Sequence, residues 1–179
     1  MVREHEITAE WSGWDGTGHE LLTLGHESGG WTADGVVTGP DVHYVVRVDE
    51  QWRVRQFLLF RDQDEPDLWL GVNPTGQWGE INGAHRPELD GCIDLDLGCT
   101  PFTNTLPIRR LLLDVDEGAE ILVARVDHET LGVVPERQRY TRLAERRWRY
   151  WDESGYTVDL DVDEHGLVVD YPDLFRRLV

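Results

Sequence analysis

The sequence predicts an all-β domain of a dozen or so strands. Three observations carry this: apolar residues recur with a period of two rather than 3.6, the 18 glycines cluster between those runs, and strong helix signals are scarce. "VHYVVRVDEQWRVRQFLLF" reads as two strands joined around Asp49 to Gln51, and "LWLGVNPTGQWGEI" as two more joined through "NPTG". As a strand, "LDGCIDLDLGC" puts Asp90, Cys92, Asp94 and Asp96 on one face and Ile93, Leu95 and Leu97 on the other. "TNTLPIRRL" admits a short helix: Thr103 or Asn104 can cap its first turn, where the missing N–H of Pro107 costs no helical bond. "LLLDVDEGAEILVARV" reads as a hairpin turning at "DEGA". "RQRYTRLAERRWRYW" has the charge spacing of a helix, but Tyr, Thr and Trp at alternating positions favour another hairpin. In "GYTVDLDVDEHGLVVDYP" the residues Tyr156, Val158, Leu160 and Val162 alternate with Thr157, Asp159, Asp161 and Asp163, and Leu167 to Val169 resume after the turn "DEHG". The last stretch, "YPDLFRRL", admits a second short helix with Pro172 at its start.

A chain of 179 residues, 40% of them hydrophobic, is enough for one domain with a sizeable core, and no linker or repeat divides residues 1–179. Its 35 acidic residues against 17 basic ones give a formal charge of −18, which speaks against nucleic acid or anionic lipid as a partner. All 17 basic residues are arginine, a composition resembling that of proteins from salt-loving or high-GC organisms. The charged start "MVREHEITAE" is no signal segment, and no apolar run approaches the roughly 20 residues needed to span a bilayer, so a cytoplasmic protein without integral membrane association is expected. Cys92 and Cys99 match no zinc-ligand spacing and read as free packing thiols.

Classical enzyme motifs are absent. The seven histidines show neither HxH nor HExxH spacing, and there is no phosphate loop or nucleophile elbow, so neither metal nor cofactor is expected. The aligned Asp94 and Asp96 are weak catalytic candidates for acid–base chemistry. The competing reading is a solvated face in a chain with 19 aspartates. Eight tryptophans lie mostly on the expected strands; some fill the core, and some are expected to line a groove whose flat indoles suit sugar rings or acyl chains. Six arginines between Arg137 and Arg149 either bind an acidic headgroup or pair with neighbouring carboxylates.

The run "LDGCIDLDLGCTPFTNTLPIRRL", followed by "QRYTRL", "WRYW" and "VDEHGLVVDYPDLFRR", resembles a bacterial and archaeal family named for glycolipid binding and formerly a domain of unknown function. The similarity covers nearly the whole chain, including "VDEQWRVR", with one mild departure at Trp148, where the family pattern has tyrosine. The resemblance implies a spiral β-roll of many antiparallel strands wrapped around one short helix, distantly like lipoprotein-carrier folds. It implies a ligand that is an amphiphile such as a glycolipid, and no catalytic residue. On this reading "TPFTNTLPIRR" is either an internal plug or part of the ligand site. Thr103, Asn104, Thr105, Arg109 and Arg110 are then ligand-binding candidates, together with Trp52, Trp78, Tyr140, Arg149 and Tyr171. Arg109 and Arg110 meet either Asp94 and Asp96 or anionic ligand oxygens. The alternatives are a hydrolase of a glycolipid or sugar ester using Asp94 or Asp96 with a nearby histidine, and a structural or partner-binding module.

Overall fold

The computed structural model describes residues 5–62 and 64–179. Seven antiparallel strands form the first half as a meander: β1 (His5–Gly13), β2 (His19–Glu27), β3 (Gly30–Thr38), β4 (Val42–Asp49), β5 (Val54–Phe60), β6 (Leu68–Val72) and β7 (Trp78–Glu80). The second half holds β8 (Asp94–Leu97), helix α1 (Thr105–Leu111), β9 (Gly118–Val126), β10 (Val133–Ala144), β11 (Arg147–Asp152), β12 (Thr157–Val162), β13 (Val168–Tyr171) and β14 (Phe175–Arg177). Among the described residues all fourteen strands join one sheet, with β1 against β14 as the seam between the halves.

Period-two patterning explains why this sheet curls. In β2 Glu20, Leu22 and Leu24 are buried while Leu21 is exposed, and in β10 Glu136, Gln138 and Tyr140 are buried while Arg137 and Arg139 are exposed. A sheet with one apolar face must cover it, and this one does so by rolling on itself. The apolar inner residues of β1–β7 pack with Leu95, Leu97, Phe102 and Leu106; a second cluster gathers Ile108, Val123, Tyr140, Trp148 and Leu160. The segment between β8 and the end of α1 is thus shared by both halves, and residues 100–108 are buried without a break.

Strand β8 pairs in parallel with β9, the one parallel pair in the described sheet. Parallel neighbours need a crossover, and residues 98–117 supply it, through a 3-10 turn at Phe102–Asn104 that runs straight into α1. The helix ends at Leu112, which adopts the left-handed conformation.

Four hairpin turns share one device. Asp49, Asn73, Asp152 and Asp163 each accept, on a side-chain oxygen, backbone N–H groups two and four residues ahead. The residue three ahead is left-handed in every case: Gly76, Gly155 and Gly166 in three turns and Trp52, with φ +63°, in the fourth. Burial holds Trp52 there, its indole 5.5 Å from that of Trp31 and beneath the Arg109 guanidinium at 4.6 Å.

The expected hairpins form at Asp49–Gln51, "NPTG" and "DEHG", and the one expected within "RQRYTRLAERRWRYW" turns at Glu145–Arg146. Three local expectations are corrected. Leu111 to Val115 is the end of α1 and a loop, so "LLLDVDEGA" is no hairpin. "YPDLFRRL" is not helical: Phe175–Arg177 pairs with β1 on one side and β13 on the other, because β1 has a free edge that a strand can satisfy. Neither Thr103 nor Asn104 caps α1 by a side-chain bond. Asn104 instead donates to the Pro101 carbonyl at 3.1 Å and accepts from the Tyr140 hydroxyl at 2.8 Å.

Gly35 lies opposite Tyr44 across β3 and β4, and a Cβ there would stand 2.2 Å from the Tyr44 ring. Tyr44 is fully buried and hydrogen-bonded to Glu20, so it cannot step aside. Gly35→Ala is expected to cost about 1–3 kcal/mol, read as a lowered urea midpoint. An unchanged midpoint would mean that Tyr44 is free to move.

Candidate functional site

Buried polar groups gather around the plug, residues 100–108 and the arginines that follow. Asp94 is 0% exposed and receives a bidentate bond from Arg110, with Nε 3.1 Å from Oδ1 and Nη2 2.6 Å from Oδ2. Asp96 accepts from Gln138 Nε2 at 2.8 Å, and the same amide donates to Glu136 at 3.0 Å. Burial raises the pKa of both aspartates, opposed by Arg110 at Asp94 and by Gln138 at Asp96. The solvated-face reading of these residues is therefore corrected: β8 is covered on both sides, its leucines by the first half and its aspartates by the second.

Two adjoining clefts share Phe175 as a wall residue. The first, about 200 Å³, is lined by Asp96, Thr100, Asn104, Arg125, Glu136 and Asp152, with Tyr150, Tyr156 and Tyr171 among its walls. Its carboxylates are mostly held: Arg125 donates to Glu136 at 2.7 Å, and Tyr150 donates to Asp152 at 3.4 Å. Aromatic faces beside fixed acceptors suit a ring bearing hydroxyl groups. The second cleft, about 370 Å³, has a buried floor of Trp11, Glu20 and Val37 and an exposed mouth at Thr17–His19 and Thr38–Pro40. Cys99 and His128 also line it, and its other walls are largely apolar. Phe175 belongs to both clefts, and consecutive residues face one each: Cys99 the apolar cleft, Thr100 the polar one.

The candidate residues scatter over this geometry. Asn104 and Tyr171 line the polar cleft, and Tyr140 lies beneath it, bonded to Asn104. Thr103 and Thr105 are inside the plug, where Thr103 bonds Asp96 and the Leu97 N–H, and Thr105 bonds the Gly166 carbonyl. Trp52, Arg109 and Arg110 line a separate cleft of about 470 Å³, and Trp78 another of about 630 Å³ beside Trp69. Arg149 is on the outer surface, paired with Asp159 at 2.8 Å; Arg137, Arg146 and Arg147 likewise face carboxylates. Of the two aspartates, Asp96 reaches the polar cleft while Asp94 is locked on Arg110. Among the described residues no group of three His, Cys, Asp or Glu is placed to hold a metal, and no helix is long and apolar enough to cross a membrane.

Sequence reading missed Glu20, Glu136, Tyr150 and Phe175. For Glu20 a signal existed: it occupies the same inward register as Leu22 and Leu24, where an acid is out of place.

Residues 8–177 match a family model described as "Putative glycolipid-binding". Among solved structures, the crystal structure of a DUF1089 family protein from Pseudomonas aeruginosa shares 30% sequence identity. It aligns with a TM-score of 0.73 over 99% of this chain and 94% of that one. No curated protein matches.

Proposed function

This chain belongs to the glycolipid-binding family whose model spans it, and from that membership we propose that it binds a single amphiphile across the two adjoining clefts. The sugar-like head takes the polar cleft among Tyr150, Tyr156 and Tyr171, and the apolar chain takes the cleft floored by Trp11 and Val37. The observation that carries this reading is the shared wall: Phe175 and the step from Cys99 to Thr100 divide an apolar space from a polar one within one residue. A ligand with one polar and one apolar end fits such a pair better than a purely polar or purely apolar one.

The test is a fluorescence titration with decyl glucoside below its micelle concentration, alongside glucose and decanol, with lipid extraction and mass spectrometry of protein purified from its native host. The glycoside is expected to bind at least tenfold more tightly than either half. Tyr156→Ala, which removes one exposed wall of the polar cleft, is expected to weaken it up to about tenfold. Equal affinity for decanol and decyl glucoside, with extracts repeatedly empty, would remove the reading.

A further inference from the structure

Glu20 stands at the junction of the two clefts. It is 3% exposed and forms part of the apolar cleft's floor, while its Oε1 accepts bonds from Tyr44 at 2.6 Å and from Thr100, a wall residue of the polar cleft, at 2.7 Å. Its Oε2 is buried with no hydrogen-bond partner among the described residues. Resting on the amphiphile reading above, we propose that Glu20 is the anchor for an acylated ligand: an ester or amide carbonyl between head and chain accepts a hydrogen bond from Glu20 Oε2–H.

Two donors already point at Oε1, so a proton on this carboxyl belongs on Oε2, where it lacks an acceptor. A buried donor without an acceptor is costly, and a carbonyl oxygen brought to the cleft floor satisfies it. An ether-linked lipid of the same shape offers a poorer acceptor, and an ionised Glu20 has no proton to give. Burial lifts the Glu20 pKa to about 7, so the neutral form is well populated below neutrality. Around it, Tyr44 from β4 stays protonated and burial pushes the Cys99 thiol to about 12. His19 on the same strand lies 2.9 Å from Glu10 of β1, and His128 faces the cleft from the turn between β9 and β10.

Three probes with a glucose-type head and a ten-carbon chain separate the outcomes: a decanoyl glucose ester, an N-decanoyl glucosamine and decyl glucoside. Each is titrated at pH 5.5 and 8.5 into the wild-type protein, Glu20→Gln, Glu20→Leu and the double variant His19→Asn/His128→Asn. The ester and amide are expected to bind about tenfold or more tightly than the ether at pH 5.5, an advantage gone at pH 8.5. Glu20→Gln, whose amide N–H replaces the Oε2–H, is expected to keep that advantage at both values; Glu20→Leu loses it at both, and the histidine variant, which alters the cleft wall and so its overall affinity, keeps the ester-over-ether advantage at pH 5.5 and its loss at pH 8.5. If the ether binds as well as the ester at every pH, or the histidine variant alone abolishes the pH dependence, the anchor role falls while amphiphile binding stands. If none of the three probes binds, both fall.

Discussion

Arg110→Met is expected to cost the fold about 3–5 kcal/mol at pH 8, because it strands the carboxylate of Asp94 in the interior. Among the described residues no other cation pairs with that carboxylate: Arg110 holds both oxygens. Its partner is less trapped. Arg110 lines the Trp52 cleft, so Asp94→Leu leaves a guanidinium that can turn toward solvent, and the cost there is smaller. The double variant Asp94→Leu/Arg110→Met is expected to recover most of the loss, since a matched apolar pair needs no desolvated charge. Burial already raises the Asp94 pKa against the pull of Arg110, so the sign of the pH effect is fixed. A carboxyl whose folded pKa lies above its unfolded one favours the fold at low pH and disfavours it as pH rises. Without Arg110 that tendency grows, and the penalty of the single variant must shrink toward pH 4.5. Urea denaturation followed by tryptophan fluorescence at the two pH values decides it; a loss under 1 kcal/mol, or one indifferent to pH, would mean that Asp94 reaches water.

The same pair shows what could be read from the chain and what could not. Strands such as Thr157–Val162 announce themselves because alternation is a local property, and so do turns like "NPTG", where Asn73 and Gly76 supply the bonds and the backbone freedom within five residues. Asp94 and Asp96 alternate with Leu95 and Leu97 just as an exposed strand would, yet Asp94 is fully buried and Asp96 is half-buried at the polar cleft. That coverage comes from the sheet coiling over its own edge strand, a contact between segments far apart in sequence. "YPDLFRRL" fails for the same reason: its local signals permit a helix, and the open edge of β1, some 160 residues away, overrides them. The plug itself was legible as one of two readings, since two prolines, four threonine or asparagine side chains and an arginine pair fit a buried crossover whose backbone groups need partners. The tryptophans were not legible as a site. Their indoles serve several clefts, and the residues that build the polar one are tyrosines and carboxylates on β8, β10, β11 and β13 and in the turn after β11.

Glu20→Gln is expected to leave stability nearly unchanged at pH 4.5 and to raise it by about 3 kcal/mol at pH 8.5. The folded pKa is lifted by burial from the ordinary 4.5 to about 7, opposed by the hydrogen bonds from Tyr44 and Thr100. Below 4.5 the carboxyl is neutral in both states and contributes no pH dependence. Between 4.5 and 7 the unfolded chain releases the proton and the folded one keeps it, so stability falls as pH rises; above 7 the deficit is constant. Glutamine removes the titration while its carbonyl still accepts from Tyr44 and Thr100, so the difference between variant and wild type must open across this window. Parallel stability curves from pH 4 to 9 would show that Glu20 ionises as a solvated acid does. Tyr44→Phe locates the window's cause: that hydroxyl stabilises the ionised carboxyl, so its removal leaves the onset near 4.5 but extends the fall in stability to higher pH and deepens it, whereas a solvent-exposed Glu20 would not respond.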